Sequence, residues 1–287
     1  MRENIKKYFL SFADGRMSSA LERIKNQALA MNFFDEVYVW SEANLDEDFC
    51  QKRQDVLNYS TRGFGYWCWK SHVILKVLET MPEGGILLYC DAGCHLNPKG
   101  RSRLNDYVEA VLNDAVGVKA FCASLKVADV KEKRWTKGDV FDYFNCRNRK
   151  DITESLQIAA THVLVRKCAQ SMSMLYAWND AINNRFSLID DTQSKSPNFP
   201  EFIENRHDQS IFSVLYKLNG CTPLPSGETE NSDCKEREKY PIWDLRDRGY
   251  KDMRFWARVK RLLKAYRMKY KIKWSVFKEK YLCRKDT

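Results

Sequence analysis

The sequence predicts an α/β protein, a mainly parallel Rossmann-like sheet flanked by helices, with a basic helical appendage at its C-terminal end. Three observations predict it. Strand-like and helix-like segments alternate over the first 125 residues, as parallel strands joined by helical crossovers require. The run Ile86–Cys90 is apolar without interruption and bounded by glycines, the pattern of a strand buried on both faces. Residues 250–287 carry 14 Lys and Arg against 3 Asp and Glu, a net of +11 in a chain of net charge +10, which leaves residues 1–249 at −1.

Taken in order, residues 7–13 read as a first strand. Ser19-x-x-Glu22 has the spacing of a capping box, and Leu21, Ile24, Ala28 and Met31 follow at helical intervals. Glu36–Trp40 is rich in β-branched and aromatic residues, as a second strand should be. A helix over 67–80 ends before Pro82, and Gly84-Gly85 turns the chain into Ile86–Cys90. Asp91 falls at the carboxyl end of that strand, where open α/β sheets bind their ligands. Residues 104–112 and 117–123 read as helix and strand, 157–167 as a strand, and 169–183 as a helix. Residues 187–205 are irregular and proline-containing, with Asp190-Asp191 a solvated loop pair. Asp208–Leu218 is a helix whose acidic first turn suits its dipole. The predicted division is a catalytic domain over 1–220 (1–125 the donor-nucleotide half, 126–220 the acceptor half), a linker or surface excursion over 221–249, and the tail over 250–287.

No run reaches the ~18 apolar residues of a membrane-spanning helix, and the apolar stretch 8–13 is too short for the core of a signal peptide. A cytoplasmic location is expected, and with it reduced thiols at the ten scattered cysteines, which form no zinc-like pairs of pairs. The near-neutral body argues against nucleic acid as a partner. In the tail, Trp256, Val259, Leu263, Tyr266, Tyr270, Trp274 and Phe277 recur every three or four residues among lysines and arginines. That is a basic amphipathic helix suited to the anionic inner face of a membrane, where each cation contributes ~1 kcal/mol, or one whose apolar stripe docks on the catalytic domain while its cations stay solvated.

Three clusters could carry chemistry. In Arg62-Gly-Phe-Gly-Tyr-Trp-Cys-Trp-Lys70, two glycines allow close backbone approach. Tyr66, Trp67 and Trp69 could stack on a base or sugar, while Arg62 and Lys70 could meet a diphosphate. The alternative is a loop whose aromatics plug the core. In Leu88-Tyr-Cys-Asp-Ala-Gly-Cys94, Asp91 could hold a divalent cation or simply cap a turn. Glu204-Asn-Arg-His-Asp-Gln-Ser210 packs acid, base, amide and cation into the opening of a helix, beyond what a cap requires. His72, His95 and His162 are isolated and read as structural.

The ordered set Phe9-Leu-Ser-Phe12, Gly63-Phe-Gly-Tyr-Trp-Cys-Trp-Lys70, Tyr89-Cys-Asp-Ala-Gly-Cys94, Trp135-Thr-Lys137, Gln157-Ile-Ala159 and Arg206-His-Asp-Gln-Ser210 resembles a bacterial family of GT-A-fold polysaccharide and lipopolysaccharide glycosyltransferases. More distantly it is similar to the lipooligosaccharide galactosyltransferases and glycogenins. The resemblance spans roughly residues 5–220. It implies a GT-A-like fold, a nucleotide-sugar donor, most simply a UDP-sugar, and a glycan or lipid-linked glycan acceptor. Carried over residue by residue, it places Arg62, Tyr66, Trp67, Trp69, Lys70, Asp91, Ala92 and Gly93 at the donor, and Trp135, Lys137, Gln157, Arg206 and His207 at the acceptor. Asp208 and Gln209 fall at the reacting centre. Asp91-Ala-Gly93 is similar to the metal-binding Asp-x-Asp motif but has Gly93 in place of the second carboxylate. Mn²⁺ or Mg²⁺ on Asp91 is therefore expected with one ligand missing. Asp208 acts as a base if the anomeric carbon inverts; Asp208 or Gln209 stabilises an oxocarbenium-like centre if configuration is retained. A catalytically inactive scaffold of the same fold is the alternative function.

Overall fold

A computed structural model describes residues 5–123, 130–225, 227–230, 234–249 and 270. The predicted membrane-binding helix over 250–287 lies outside the described residues except for Tyr270. Among the described residues, no helix is long and apolar enough to cross a membrane.

The principal strands and helices are β1 (Lys7–Phe12), α1 (Ser18–Ala30), β2 (Glu36–Trp40), α2 (Trp69–Thr80), β3 (Ile86–Cys90), β4 (His95–Leu96), α3 (Arg101–Leu112), β5 (Val118–Cys122), β6 (Ile158–Arg166), α4 (Ala169–Asn184), α5 (Asp208–Leu218) and β7 (Ile242–Trp243), with short helical segments between them. Five strands form one sheet in the order β2-β1-β3-β6-β5. β1 lies parallel to both β2 and β3, with Phe9 opposite Val37 and Leu88. β6 runs antiparallel to β3 and β5, so four of the five strands point the same way. The mainly parallel sheet is as predicted, with one reversed strand.

Successive strand side chains point to opposite faces, and that alternation divides the core. Tyr8, Leu10, Phe12, Leu87, Tyr89, Val163 and Val165 pack on one face with Val73 and Val77 of α2, Leu175 and Trp178 of α4, and Phe212 and Val214 of α5. Phe9, Ile86, Leu88, Cys90, Phe121 and Leu164 pack on the other with Ile24 and Ala28 of α1 and Leu104 and Val111 of α3. β3 is buried at all five positions, which is why its sequence shows no polar alternation. The eight described thiols of the strands, helices and loops (Cys50, Cys68, Cys90, Cys94, Cys122, Cys146, Cys168 and Cys221) are free.

Two local expectations are corrected. Ser19 does not cap α1: the helix starts at Ser18 after a turn capped by Asp14, and Ser19 Oγ donates to the Gly249 carbonyl at 2.9 Å. The second helix starts at Trp69 rather than residue 67, because Trp67 has φ = 60°, outside right-handed helical space.

Residues 234–249 lie against the body. β7 pairs antiparallel with β4, and Asn97 Nδ2 donates to the carbonyls of Glu238 and Tyr240. The Asp247 amide donates to the Gly93 carbonyl at 2.9 Å. Arg23 fastens the same stretch, donating to the carbonyls of Asp247 and Ala92. The turn after β3 is thereby covered by chain from 150 residues later, a contact no local pattern announces.

Candidate active site

The site lies where β3 ends and where α2 and α5 begin. α5 opens on Asp208, whose carboxylate the dipole of the helix N-terminus favours. α2 opens on Trp69 and Lys70, and a cation there is disfavoured by the same effect, so it needs carboxylate partners. It has them. Lys70 Nζ is 3.1 Å from Asp91 Oδ1 and 3.3 Å from Asp208 Oδ2, and it donates to the Ala160 carbonyl of β6 at 3.2 Å. Of the three oxygens around the ammonium, the Ala160 carbonyl accepts a hydrogen bond and the two carboxylates supply opposite charge.

Burial acts to lower the Lys70 pKa, but Asp208 and Asp91 outweigh it and hold it above its ordinary value. Asp208 is pushed up to about 6, chiefly by burial and also by the Asp91 charge, against the pull of Lys70. Tyr89, buried behind them, donates its hydroxyl to Asp91 Oδ1 at 2.7 Å. Burial, then the Asp91 charge, holds its phenol well above the ordinary range. The side chains of Lys70 and Asp208 are each 4% exposed, whereas that of Asp91 is 30% exposed. Asp91 is thus the member of the cluster that an incoming ligand meets first.

One wall of the site is made by an unusual backbone. Gly63, Phe64, Gly65, Tyr66 and Trp67 all have positive φ, between 53° and 91°. Tyr66 and Trp67 donate their amides to the carbonyls of Arg62 and Gly63. The segment is one left-handed turn. At ~1–2 kcal/mol for each non-glycine residue, its three aromatics store several kcal/mol of strain, which persists only where surroundings over-determine it and which clusters at functional sites. The surroundings here are aromatic. The His207 ring lies 5.4 Å from Tyr66 and 5.3 Å from Trp67, and Trp69 Nε1 donates to the Gly63 carbonyl. His207 itself is strained (φ 57°, ψ −128°), its Nδ1–H donates to the Ile189 carbonyl at 2.6 Å, and burial lowers its pKa. A Cβ at Gly63 would overlap the Trp67 ring. Gly63→Ala is therefore expected to destabilise the protein by at least about 2 kcal/mol, read as a lower midpoint in chemical denaturation.

Arg62 stands beside this turn, 3.8 Å from Asp191 and 3.9 Å from Glu204. Ala92 is buried against Ala13 and Ala20, and Gly93 is covered by the backbone of Arg246, 3.3 Å from where a Cβ would lie. Neither presents a side chain to a ligand.

The acceptor-side candidates form the floor. Gln157 and Trp135 are fully buried, and Lys137 nearly so. Gln157 Nε2 donates to Glu132 Oε1, and its Oε1 accepts from Gln209 Nε2 at 2.8 Å. Gln209 Oε1 in turn accepts from the Ala160 amide, so both ends of that amide are fixed. Lys137 Nζ donates to the Ser187 and Asp190 carbonyls and to Asp190 Oδ1. Asp190 is accordingly a partner of Lys137 and not half of a solvated pair. The Arg206 guanidinium lies 4.1 Å from the centre of the Trp135 ring. His72, His95 and His162 stay apart: His72 is bonded to Asp46, His95 to Gln27 and Asp247, and His162 is buried in β6 against Phe121.

The fit for a divalent cation is poor. Asp91 Oδ1 already faces Lys70 and accepts from the Tyr89 hydroxyl, and position 93 has no side chain, with a Cβ there falling 3.3 Å from the Arg246 backbone. Among the described residues, no three His, Cys, Asp or Glu side chains come together as a metal-binding group.

No protein-family model matches the chain, and comparison with curated proteins finds no match. Solved structures do resemble it. A glycosyltransferase involved in glycosylation of the major capsid of PBCV-1 is 12% identical over 83% of this chain and 91% of its own, with a TM-score of 0.47. The galactosyltransferase LgtC in complex with donor and acceptor sugar analogs is 10% identical over 82% of this chain and 86% of its own, at 0.41. The apo glycosyltransferase GlyE of Streptococcus pneumoniae TIGR4 is 13% identical over 77% of this chain, which spans 45% of that enzyme's length, at 0.38. At such identities and scores the likeness carries no activity to this chain, and function has to be argued from the site.

Proposed function

We propose that the protein is a glycosyltransferase that moves a hexose from a nucleotide sugar, most simply a UDP-sugar, to a cell-surface polysaccharide or lipid-linked glycan. The observation that carries this reading is the buried Asp91–Lys70–Asp208 cluster at the carboxyl end of β3, beside a strained aromatic turn. Open α/β sheets bind ligands at that edge, and aromatic faces there suit a base or a sugar ring. Glycosyl transfer builds positive charge at the anomeric carbon and frees a proton from the acceptor hydroxyl. An ionised carboxylate serves both needs. Asp208, with a pKa near 6, is mostly ionised at neutral pH yet basic enough to take a proton.

In this reading Asp91 meets the donor, Asp208 acts at the reacting centre, and Gln209 and Gln157 hold α5 and β6 in register as positioning residues. Residues 1–125 supply the donor half and 126–220 the acceptor half, and the tail over 250–287 holds the enzyme at an anionic membrane surface. Donor binding is tested by thermal unfolding with UDP, with and without Mn²⁺. A ligand at 100 times its Kd stabilises the native state by ~2.7 kcal/mol, so a rise of several degrees with UDP and none with uridine is expected. An unchanged midpoint with every nucleoside diphosphate would favour a scaffold without a donor site.

A further inference from the structure

A nucleotide sugar brings two phosphates, and the cations that should meet them are not the obvious ones. Lys70 is held between two carboxylates of its own, 3.1 Å from Asp91 and 3.3 Å from Asp208, with its side chain 4% exposed. The described residues offer no metal-binding group.

Arg206 is differently placed. Its guanidinium lies over the fully buried Trp135 ring, 4.1 Å from the ring centre. The carboxylate nearest to it, Glu204, is 3.7 Å from Nε, beyond hydrogen-bonding distance, and Glu204 Oε1 is buried with no hydrogen-bond partner among the described residues. Arg62 is held as loosely, at 3.8 Å and 3.9 Å from Asp191 and Glu204. Arg246 stands on the segment covering Gly93, with φ = 52° and its Nε 3.7 Å from Asp244. Burial, with the nearby charges of Arg246 and Arg62, lowers the Arg206 pKa to about 10 against the pull of Glu204. Arginines that leave water ordinarily do so into bidentate pairs with carboxylate or phosphate. Here Arg206, with 21% of its side chain exposed, has no such close pair, and the more exposed Arg62 and Arg246 are held no more tightly.

Resting on the glycosyltransferase reading, we propose that Arg206, flanked by Arg62 and Arg246, is the receptor for a diphosphate group and does the work of charge neutralisation that a metal ion would otherwise do. The diphosphate is that of the nucleotide donor or of a diphosphate-linked lipid acceptor, which share this chemistry. The fork of Arg206 takes two phosphate oxygens in place of the loose contact with Glu204, and Trp135 keeps the fork aimed.

The experiment is calorimetric titration of the full chain with inorganic pyrophosphate and with UDP in EDTA. Wild type, Arg206→Gln, Arg206→Lys and Arg246→Ala are compared, and thermal unfolding checks each fold. Binding by wild type without metal is expected. Arg206→Gln should weaken it on the order of ten- to a hundredfold. Arg206→Lys should recover part of that loss, since an ammonium keeps the charge without the fork, and Arg246→Ala should weaken binding several-fold. Displacement of pyrophosphate by UDP assigns the site to the donor; displacement by a short polyprenyl diphosphate and not by UDP assigns it to the acceptor. Folded Arg206→Gln and Arg246→Ala proteins that bind both ligands as wild type does, or a wild type that binds neither without metal, would overturn the proposal. Pyrophosphate binding without transfer from any donor would leave this site standing and remove the enzyme reading. Transfer with UDP affinity unchanged in Arg206→Gln would do the reverse.

Discussion

Asp208→Asn is expected to slow sugar transfer by about 10²–10⁴-fold while leaving UDP binding within a few-fold of wild type. The amide fills the same space at the start of α5, but it can neither accept a proton nor oppose positive charge at the anomeric carbon. The wild-type rate should rise with pH through about 6, where Asp208 ionises, and level off above it. Stability should follow the opposite course. The pKa of Asp208 is higher folded than unfolded, so the native state holds more protons between about pH 4 and 6. This contribution to stability is full below about 4 and is lost as pH rises through 6. Asp208→Asn should abolish that part of the pH dependence, so the difference in unfolding midpoint between variant and wild type should change over this interval and stay flat above it. A wild-type rate independent of pH from 5 to 8 would count against Asp208 as the ionising group.

Lys70→Met carries the largest expected cost in stability, about 3–5 kcal/mol, because it strands Asp208 and Asp91 beside each other with no cation between them. For a chain of this size that is roughly a 6–15 °C fall in Tm. Without Lys70, the pKa of Asp208 should climb further, since the ammonium is what holds it down. The deficit should therefore be larger at pH 8 than at pH 5, where a protonated Asp208 no longer needs a partner. Thermal unfolding at the two pH values checks this. Equal deficits would mean that Lys70 acts mainly by packing.

These effects turn on contacts of uneven legibility in the sequence. β3 and α5 were readable from local signals: an unbroken apolar run for a strand covered on both faces, and an acidic first turn suited to the helix dipole for Asp208–Leu218. Asp91 could be placed at a strand end for the same reason. That Lys70 joins Asp91 to Asp208 could not be read, because the link spans 138 residues of chain and depends on Ala160 of β6, which bonds both Lys70 and Gln209 of α5. The left-handed turn was signalled only by Gly63 and Gly65. Phe64, Tyr66 and Trp67 disfavour positive φ, and it is their packing against His207 that overrides the preference. The resemblance places Gln157 and Lys137 at an acceptor, and in the fold both are buried, with bonds to Glu132, Gln209, Ser187 and Asp190. Polar side chains that satisfy a buried backbone have the same composition as those that bind a substrate. The cover over Gly93 rests on a two-residue strand, too short to carry any periodic signal.

The most direct test of the central claim is donor hydrolysis by the wild-type protein over a panel of UDP-, GDP-, CMP- and dTDP-sugars, followed by release of free sugar and nucleotide. The account predicts turnover selective for one nucleotide sugar, rising through about pH 6. A protein that neither binds nor turns over any of these donors would contradict it and leave the Asp91–Lys70–Asp208 cluster as a purely structural ion pair network.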